Sequence, residues 1–419
     1  MWFPLLTRVR GLGAQPGSID VPVETVSPPL LQSYHFCSRR NTRLAGHTWP
    51  VAALCRSVII RFLMAINRVS PFLWILLPLF FCLNARAADT FTVAAVGDIM
   101  MGTAWPEEAL PPRDGAGIYD NVLESFRGAD IVFGNLEGPL LDEGEGRKCG
   151  KKRGGKKSLC FEFRTPTRYV RHLEAAGFSV LNIANNHSSD FGAKGVESTV
   201  ETLAAAGIQA TGGENIALFT IRDKSVAIAG FSYSAPSFHS LSIIDIPAAA
   251  EIVGRLKQEN NLVIVSFHGG AEGKDALRIP GGDEIFAGEN RGNVVRFARA
   301  VIDAGADLVL GHGPHVPRAM ESYKGKLIAY SLGNFLTYGR FNIQGASGTS
   351  LVLKVAIDLE TGDFVEGTIV PVELRDRGIP YIDPEKKCVK LIRELTAARG
   401  TASGLVIEED GKIRPAHDN

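Results

Sequence analysis

The chain has 419 residues, 45% of them hydrophobic and 21% charged, enough apolar side chain for one large or two modest packed domains and too much for a disordered or collagen-like chain. Basic and acidic side chains balance at 45 each, but nine arginines and only Asp20 and Glu24 fall in the first 87 residues, which leaves 36 basic against 43 acidic groups beyond them, a formal charge of −7. That acidic body argues against a nucleic-acid partner, whose phosphates need clustered cations.

Residues 1–63 carry scattered Arg, Pro and Gly, no Lys, and no sustained helical or strand period, so they are expected to be disordered and to be an over-extended start. Residues 64–87 read differently. Met64-Ala65-Ile66-Asn67-Arg68 is a short positive segment, residues 71–83 are an apolar run rich in Leu and Phe, and Ala85-Arg86-Ala87 is a small-x-small cleavage site. This is the pattern of a secretory signal peptide, with a periplasmic or extracellular destination. The run is short of the ~20 residues a bilayer span needs. A retained N-terminal anchor is the alternative and the sole membrane contact expected. Phe80 and Phe81 before Cys82 argue against a lipid-modified cysteine. Cys149 and Cys160 bracket a basic stretch, residues 150–159, and an oxidising destination favours a disulfide at its base.

From residue 91 onward, apolar runs alternate with amphipathic stretches, the pattern of an α/β domain spanning residues 88–375. The strand at 91–96 ends in Gly97-Asp98-Ile99-Met100, and the strand at 129–133 runs into Gly134-Asn135-Leu136-Glu137-Gly138. A helix at 168–176 stops at Gly177, and the strand at 178–184 delivers Asn185-Asn186-His187 with Asp190 close behind. A helix at 195–206, a strand at 225–231 and a helix within 243–258 precede the strand at 261–266, which leads to Phe267-His268-Gly269. The helix at 293–304 feeds Leu308-Val309-Leu310-Gly311-His312-Gly313-Pro314-His315, a buried strand with two imidazoles on the turn that ends it. A strand at 326–330 closes in Ser331-Leu332-Gly333-Asn334-Phe335, strands at 349–358 and 367–372 read as a hairpin, and residues 376–419, with a helix near 385–398, read as peripheral.

Asp98, Glu137, Asn186, His187, His268, His312 and His315 all fall at or just beyond strand ends, where open α/β sheets keep their chemistry. Mixed carboxylate, amide and imidazole donors suit Mn, Fe or Zn, and the set is large enough for one ion or two. His187 could protonate a leaving group.

These motifs, in this order from about residue 92 to 335, resemble the bacterial capsule-synthesis CapA family, also described as poly-gamma-glutamate biosynthesis proteins, which is similar to the calcineurin-like metallophosphoesterases. The resemblance implies a metallophosphoesterase-like two-sheet β-sandwich flanked by helices in four layers, with metal at the sheet ends. It implies Asp98, Glu137, Asn186, His268, His312 and His315 as metal ligands, and His187 with Asp190 as catalytic residues. The implied partners are an envelope polymer or its precursor and the polymer's synthase and export proteins. Two departures stand out. The metallophosphoesterase pattern opens with Asp-x-His, but Met100 stands two places after Asp98; and it closes with His-x-His, but His312 and His315 are three apart. The second corner leaves Asn135 and Glu137 as alternatives, with Glu137 favoured for its charge. A hydrolase or transferase of metallophosphoesterase type is the activity expected; a non-catalytic accessory of polymer assembly and a scavenging phosphatase are the alternatives.

Overall fold

The structure is a computed structural model that describes residues 89–149 and 160–416. The stretches read as a disordered start, a signal peptide and a basic loop tip lie outside the described residues.

In chain order the strands are β1 (Thr90–Met100) and β2 (Ile131–Leu136), then helix α1 (Val170–Ala176), β3 (Val180–Asn182), helix α2 (Ala193–Ala205), β4 (Gln209–Thr211), β5 (Ala217–Ile221), β6 (Lys224–Ser232) and β7 (Leu241–Ser242). Helix α3 (Ile246–Glu259), β8 (Leu262–His268), the short pair β9 (Ile285–Phe286) and β10 (Glu289–Asn290), helix α4 (Val294–Asp303) and β11 (Leu308–His312) follow. The chain continues through β12 (Met320–Tyr323), β13 (Lys326–Ala329), β14 (Asn334–Thr337), β15 (Thr349–Asp358), β16 (Phe364–Arg375), β17 (Ile379–Ile382), helix α5 (Lys387–Ala397), β18 (Leu405–Ile407) and β19 (Lys412–Pro415).

Two large sheets form. The first runs β18-β19-β16-β15-β1-β2-β3-β4 with β14 also on β1 and β17 on β16; the second runs β12-β13-β11-β8-β6-β5 with β7 on β6. Around the site the strands are parallel: β14, β1, β2 and β3 in one sheet, and β13, β11, β8 and β6 in the other. Parallel strands covered on both faces read as continuous apolar runs, which is why the sequence shows them so plainly.

Because successive strand residues face opposite ways, each sheet feeds two cores. Phe91, Val93, Ala95, Ile131 and Phe133 meet Val226, Ile228, Ile264 and Leu310 between the sheets. The alternate residues Ala94, Val96, Val132 and Leu181 pack under Leu173, Val196 and Leu203 of α1 and α2. Ala229, Val263, Val265 and Val309 pack under Val253 of α3 and Phe297 and Val301 of α4. The result is the helix, sheet, sheet, helix layering expected of a two-sheet sandwich. Local signals set the helix ends. Asp245 and Asn293 cap α3 and α4 by accepting from the amides of Ala248 and Arg296, and Gly177 closes α1 at φ 84°.

The C-terminal segment corrects the expectation that residues 376–419 are peripheral. Cys388, Val389 and Ile392 of α5 are buried with Leu405, Ile407 and Ile413 in the core between the sheets, and β18 and β19 extend the first sheet. An apolar stripe one turn apart on α5 closes the open edge of the sandwich. Burial also pushes the Cys388 thiol up to about 12, so the reactive thiolate is scarce near neutrality. Iodoacetamide at pH 8 should leave Cys388 unmodified in the folded chain and alkylate it after denaturation, as read by peptide mass mapping; fast modification of the folded chain would show that this edge opens.

Candidate metal centre

Strand register builds the site. Asp98 pairs across β1 with Asn135 on one side and Asn334 on the other, and Asn135 pairs with Asn182. In the second sheet His312 pairs with His268, which pairs with Ser232. Two polar rows thus lie at the C-terminal ends of parallel strands. They face each other closely. Asn135 Nδ2 is 3.3 Å from His268 Nδ1, and His312 Nδ1 is 3.5 Å from Asp98 Oδ1.

Asp98 is fully buried at the centre. Its Oδ1 accepts from Asn135 Nδ2 at 2.8 Å, and its Oδ2 lies 3.0 Å from His315 Nδ1. The three-residue histidine spacing is resolved by the turn. Gly313 at φ 108° and His315 at φ 59° fold the chain back, so both imidazoles reach Asp98 from different oxygens. The left-handed conformation at a non-glycine residue is costly and clusters at functional sites. His315 Nδ1 also lies 3.1 Å from Asn334 Oδ1, whose own amide donates to the Ser347 carbonyl. Met100 is buried with its sulfur accepting from the Gly102 amide. It adds no imidazole to the centre.

Glu137 completes the group. Asp98, Glu137 and His315 each offer a ligand atom, and these atoms lie within 4.8 Å of one another. Both Glu137 oxygens, His268 Nε2 and both ring nitrogens of His312 are buried without a hydrogen-bond partner. A buried polar atom left unpaired costs about 1–3 kcal/mol, and here several converge on one place. Convergent unpaired carboxylate and imidazole lone pairs fit a divalent cation. The electrostatics agree. Burial pushes the Glu137 carboxyl well above its usual range, offset only partly by His315, while burial holds His268 well below. Burial opposes charge on His315 too, yet Glu137 and Asp98 overcome it and lift that imidazole to about 10. Burial also works to raise Asp98, but the His312 and His315 imidazoles beside it hold it well below the usual carboxylate range.

A second cluster adjoins the centre. His187 Nδ1 is 2.8 Å from Asp190 Oδ2, and Asp190, fully buried, also accepts from the Phe163 amide. Burial lowers the His187 pKa despite Asp190, so the ring is neutral near pH 7, with the Nδ1 proton donated to the carboxylate. Asn186 belongs to this cluster. Its Oδ1 is buried and unpartnered, and it lines a cavity of about 410 Å³ with Lys148, Tyr233, Ser234 and Glu289. The rings of Phe163 and Phe341 pack at 5.3 Å, one on His187 and the other on His315, walling the two clusters.

The structure therefore brings Asp98, Glu137, His268, His312 and His315 to one centre, with His187, Asp190 and Asn186 beside it. Sequence reading missed the amide relay that links them. Asn182 and Asn185 donate to Asn135 Oδ1, and Asn185 Oδ1 accepts from the His187 amide. Asn334 was in view only as part of a motif, because β14 is too short and polar to read as a strand.

The expected pairing of Cys149 with Cys160 is present, with Cα atoms 5.6 Å apart. Among the described residues no helix is long and apolar enough to cross a membrane.

Comparison with known proteins adds the family. The chain is 28% identical to the PGA biosynthesis protein CapA of Bacillus subtilis (strain 168), over 78% of this chain and 82% of that one. It is 30% identical to the capsule biosynthesis protein CapA of Bacillus anthracis, over 78% of each. A solved structure of a novel phosphatase from Mycoplasma pneumoniae aligns over 73% of this chain and all of that one at 14% identity and a TM-score of 0.42. The family described as bacterial capsule synthesis protein PGA_cap matches residues 92–338, the span that carries both polar rows, and the chain belongs to it.

Proposed function

We propose that this protein is an exported, metal-dependent hydrolase or transferase of metallophosphoesterase type that acts on a capsule or poly-gamma-glutamate-type envelope polymer or its precursor. The observation that carries the reading is the convergence of unpartnered buried lone pairs on Glu137, His268 and His312 around Asp98 and His315. Asp98, Glu137, His268, His312 and His315 would hold the metal, with the Asn186 amide as a further donor. A divalent cation there supplies Lewis acidity toward a phosphoryl or carbonyl oxygen. His187, held by Asp190 through its Nδ1 proton, presents the opposite ring nitrogen, Nε2, as a bare lone pair in the neutral ring, so it would first take a proton from solvent and then pass it to the leaving group. Asn135 keeps the two clusters in register through Asp98 on one side and Asn185 on the other. The Cys149–Cys160 bond supports an oxidising location.

Elemental analysis of the purified protein is the direct test, with one or two equivalents of Mn, Fe or Zn expected. Added metal should restore hydrolysis of bis(p-nitrophenyl) phosphate after chelation, and His187→Ala should lower kcat by about 10²- to 10⁴-fold while leaving metal content unchanged. A protein that binds no metal and shows no metal-stimulated activity would sink the reading. A non-catalytic accessory role in polymer assembly is the competing reading, favoured by Met100 in place of a ligand histidine. It requires His187→Ala to leave polymer formation intact.

A further inference from the structure

Both flanks of the loop closed by the Cys149–Cys160 bond grip the His187–Asp190 pair. On the incoming flank the Arg147 amide donates to the Asp190 carbonyl at 2.8 Å. Lys148 Nζ donates to the Asn186 carbonyl at 2.8 Å and lies 3.4 Å from Asp190 Oδ1 and 3.5 Å from His187 Nδ1. On the outgoing flank the Phe163 amide donates to Asp190 Oδ2 at 2.8 Å, and its ring packs 4.4 Å from the imidazole. Glu162 ties the flanks together, because its Oε1 accepts from the Cys149 amide and its Oε2 from the Trp105 indole. The disulfide then links the two flanks covalently, one residue beyond Lys148 and two before Glu162.

Lys148 is the part of this grip that chemistry singles out. The Asp190 side chain is fully buried, and its Oδ1 has no hydrogen bond, so the Lys148 ammonium is the nearby charge that compensates it. An uncompensated buried carboxylate is strongly unfavourable. The same ammonium fixes the peptide between Asn186 and His187, which sets where the imidazole stands. Lys148 remains about a third exposed and lines the 410 Å³ cavity beside the site.

We propose that Lys148 is a positioning residue for the His187–Asp190 pair, held in place by the Cys149–Cys160 disulfide. The inference rests on reading His187 as the proton-transfer group, and it concerns how that group is held. Lys148 neutralises Asp190 and anchors the Asn186 carbonyl, which leaves the Asp190 carboxylate as the fixed acceptor for the His187 Nδ1 proton. Cutting the disulfide frees the segment that carries Lys148, so both changes loosen the same imidazole.

The test reads the His187 Nδ1–H proton directly, by NMR of the full chain labelled with [15N]histidine and loaded with diamagnetic Zn²⁺, the resonance being assigned by its loss in His187→Ala. Wild type should show a slowly exchanging signal. Lys148→Ala and the isosteric Lys148→Met should lose it, Lys148→Arg should retain it, and the double variant Cys149→Ser/Cys160→Ser should show exchange at least tenfold faster. In parallel, kcat for bis(p-nitrophenyl) phosphate should fall about tenfold in Lys148→Ala, with KM and metal content unchanged and with rescue in Lys148→Arg. A signal that persists with wild-type exchange in Lys148→Met and in the double serine variant overturns the proposal. So does its loss in Lys148→Arg as well, which would mark a structural role only. If wild type turns over no phosphodiester, the functional reading fails, while the Nδ1–H signal still decides the role of Lys148.

Discussion

Glu137→Gln is expected to empty the centre of tightly bound metal and to cut metal-dependent turnover by more than about a hundredfold, the upper end of what loss of a mere supporting partner costs a metal site. The substitution keeps shape and volume while exchanging the charged carboxylate for one carbonyl oxygen and one NH2, so no cavity or overpacking obscures the result. Its effect on the metal-free chain should run the other way. Glu137 is fully buried, both its oxygens lack hydrogen-bond partners, and burial disfavours its charge by more than the His315 imidazole 3.6 Å away favours it. Where burial opposes an acid's charge more than its neighbour favours it, a neutral isostere relieves desolvation. Thermal melts of chelated protein should therefore show Tm unchanged or raised, while elemental analysis shows metal lost. A variant that keeps wild-type metal content would remove Glu137 from the ligand set. Asp98 should differ in sign. It is held by Asn135, His312 and His315 at once, so Asp98→Asn should cost both metal and stability.

Gly97→Ala is expected to do the largest damage to the fold. A Cβ at Gly97 would stand 1.9 Å from the Gly333 carbonyl oxygen and 2.9 Å from that of Leu332. Both are backbone atoms, and Gly333 itself sits at φ 67°, so the turn has no flexible side chain to swing aside. The Asp98 amide donates to that same Gly333 carbonyl at 2.9 Å. One methyl group must therefore separate β1 from the segment that leads into β14. Overpacking of this kind costs about 3 kcal/mol, a drop in Tm of roughly 4–5 °C given about 2.1 cal/mol/K of unfolding entropy per residue over the described residues. Metal content should fall with it, since Asp98 and Asn334 lie on the two sides of the gap. A variant with wild-type Tm and metal would show that the two segments part without strain.

How far the sequence went follows from the physics of each residue. Asp98, His268 and His312 were legible because buried parallel strands read as apolar runs and the first polar residue after each run stands out. Glu137 was legible because charge distinguished it from Asn135, but its neighbour proved just as central, as the hub between Asp98 and Asn185. Such amide roles depend on cross-strand register, and register between segments far apart in the chain leaves no local mark. His315 was visible as a residue, but its reach was not. The spacing of three reads as a mismatch until the left-handed backbone at His315 is known. The C-terminal helix was seen and misplaced, because an amphipathic stripe says that a face is buried and not what it is buried against. Lys148 escaped notice beside a run of basic residues, where one more lysine reads as part of the run.

The centre also has a consequence for how the chain folds. Asp98 meets His315 across 217 residues of sequence, and Asn135 meets His268 across 133. Contacts of such separation bear their loop-closure entropy before they return any binding energy, so they are slow to form. The polar rows belong to different sheets, so they come together only when the two sheets dock. A ligand that binds there binds the finished sandwich and not its halves, and by mass action it draws the whole assembly toward completion.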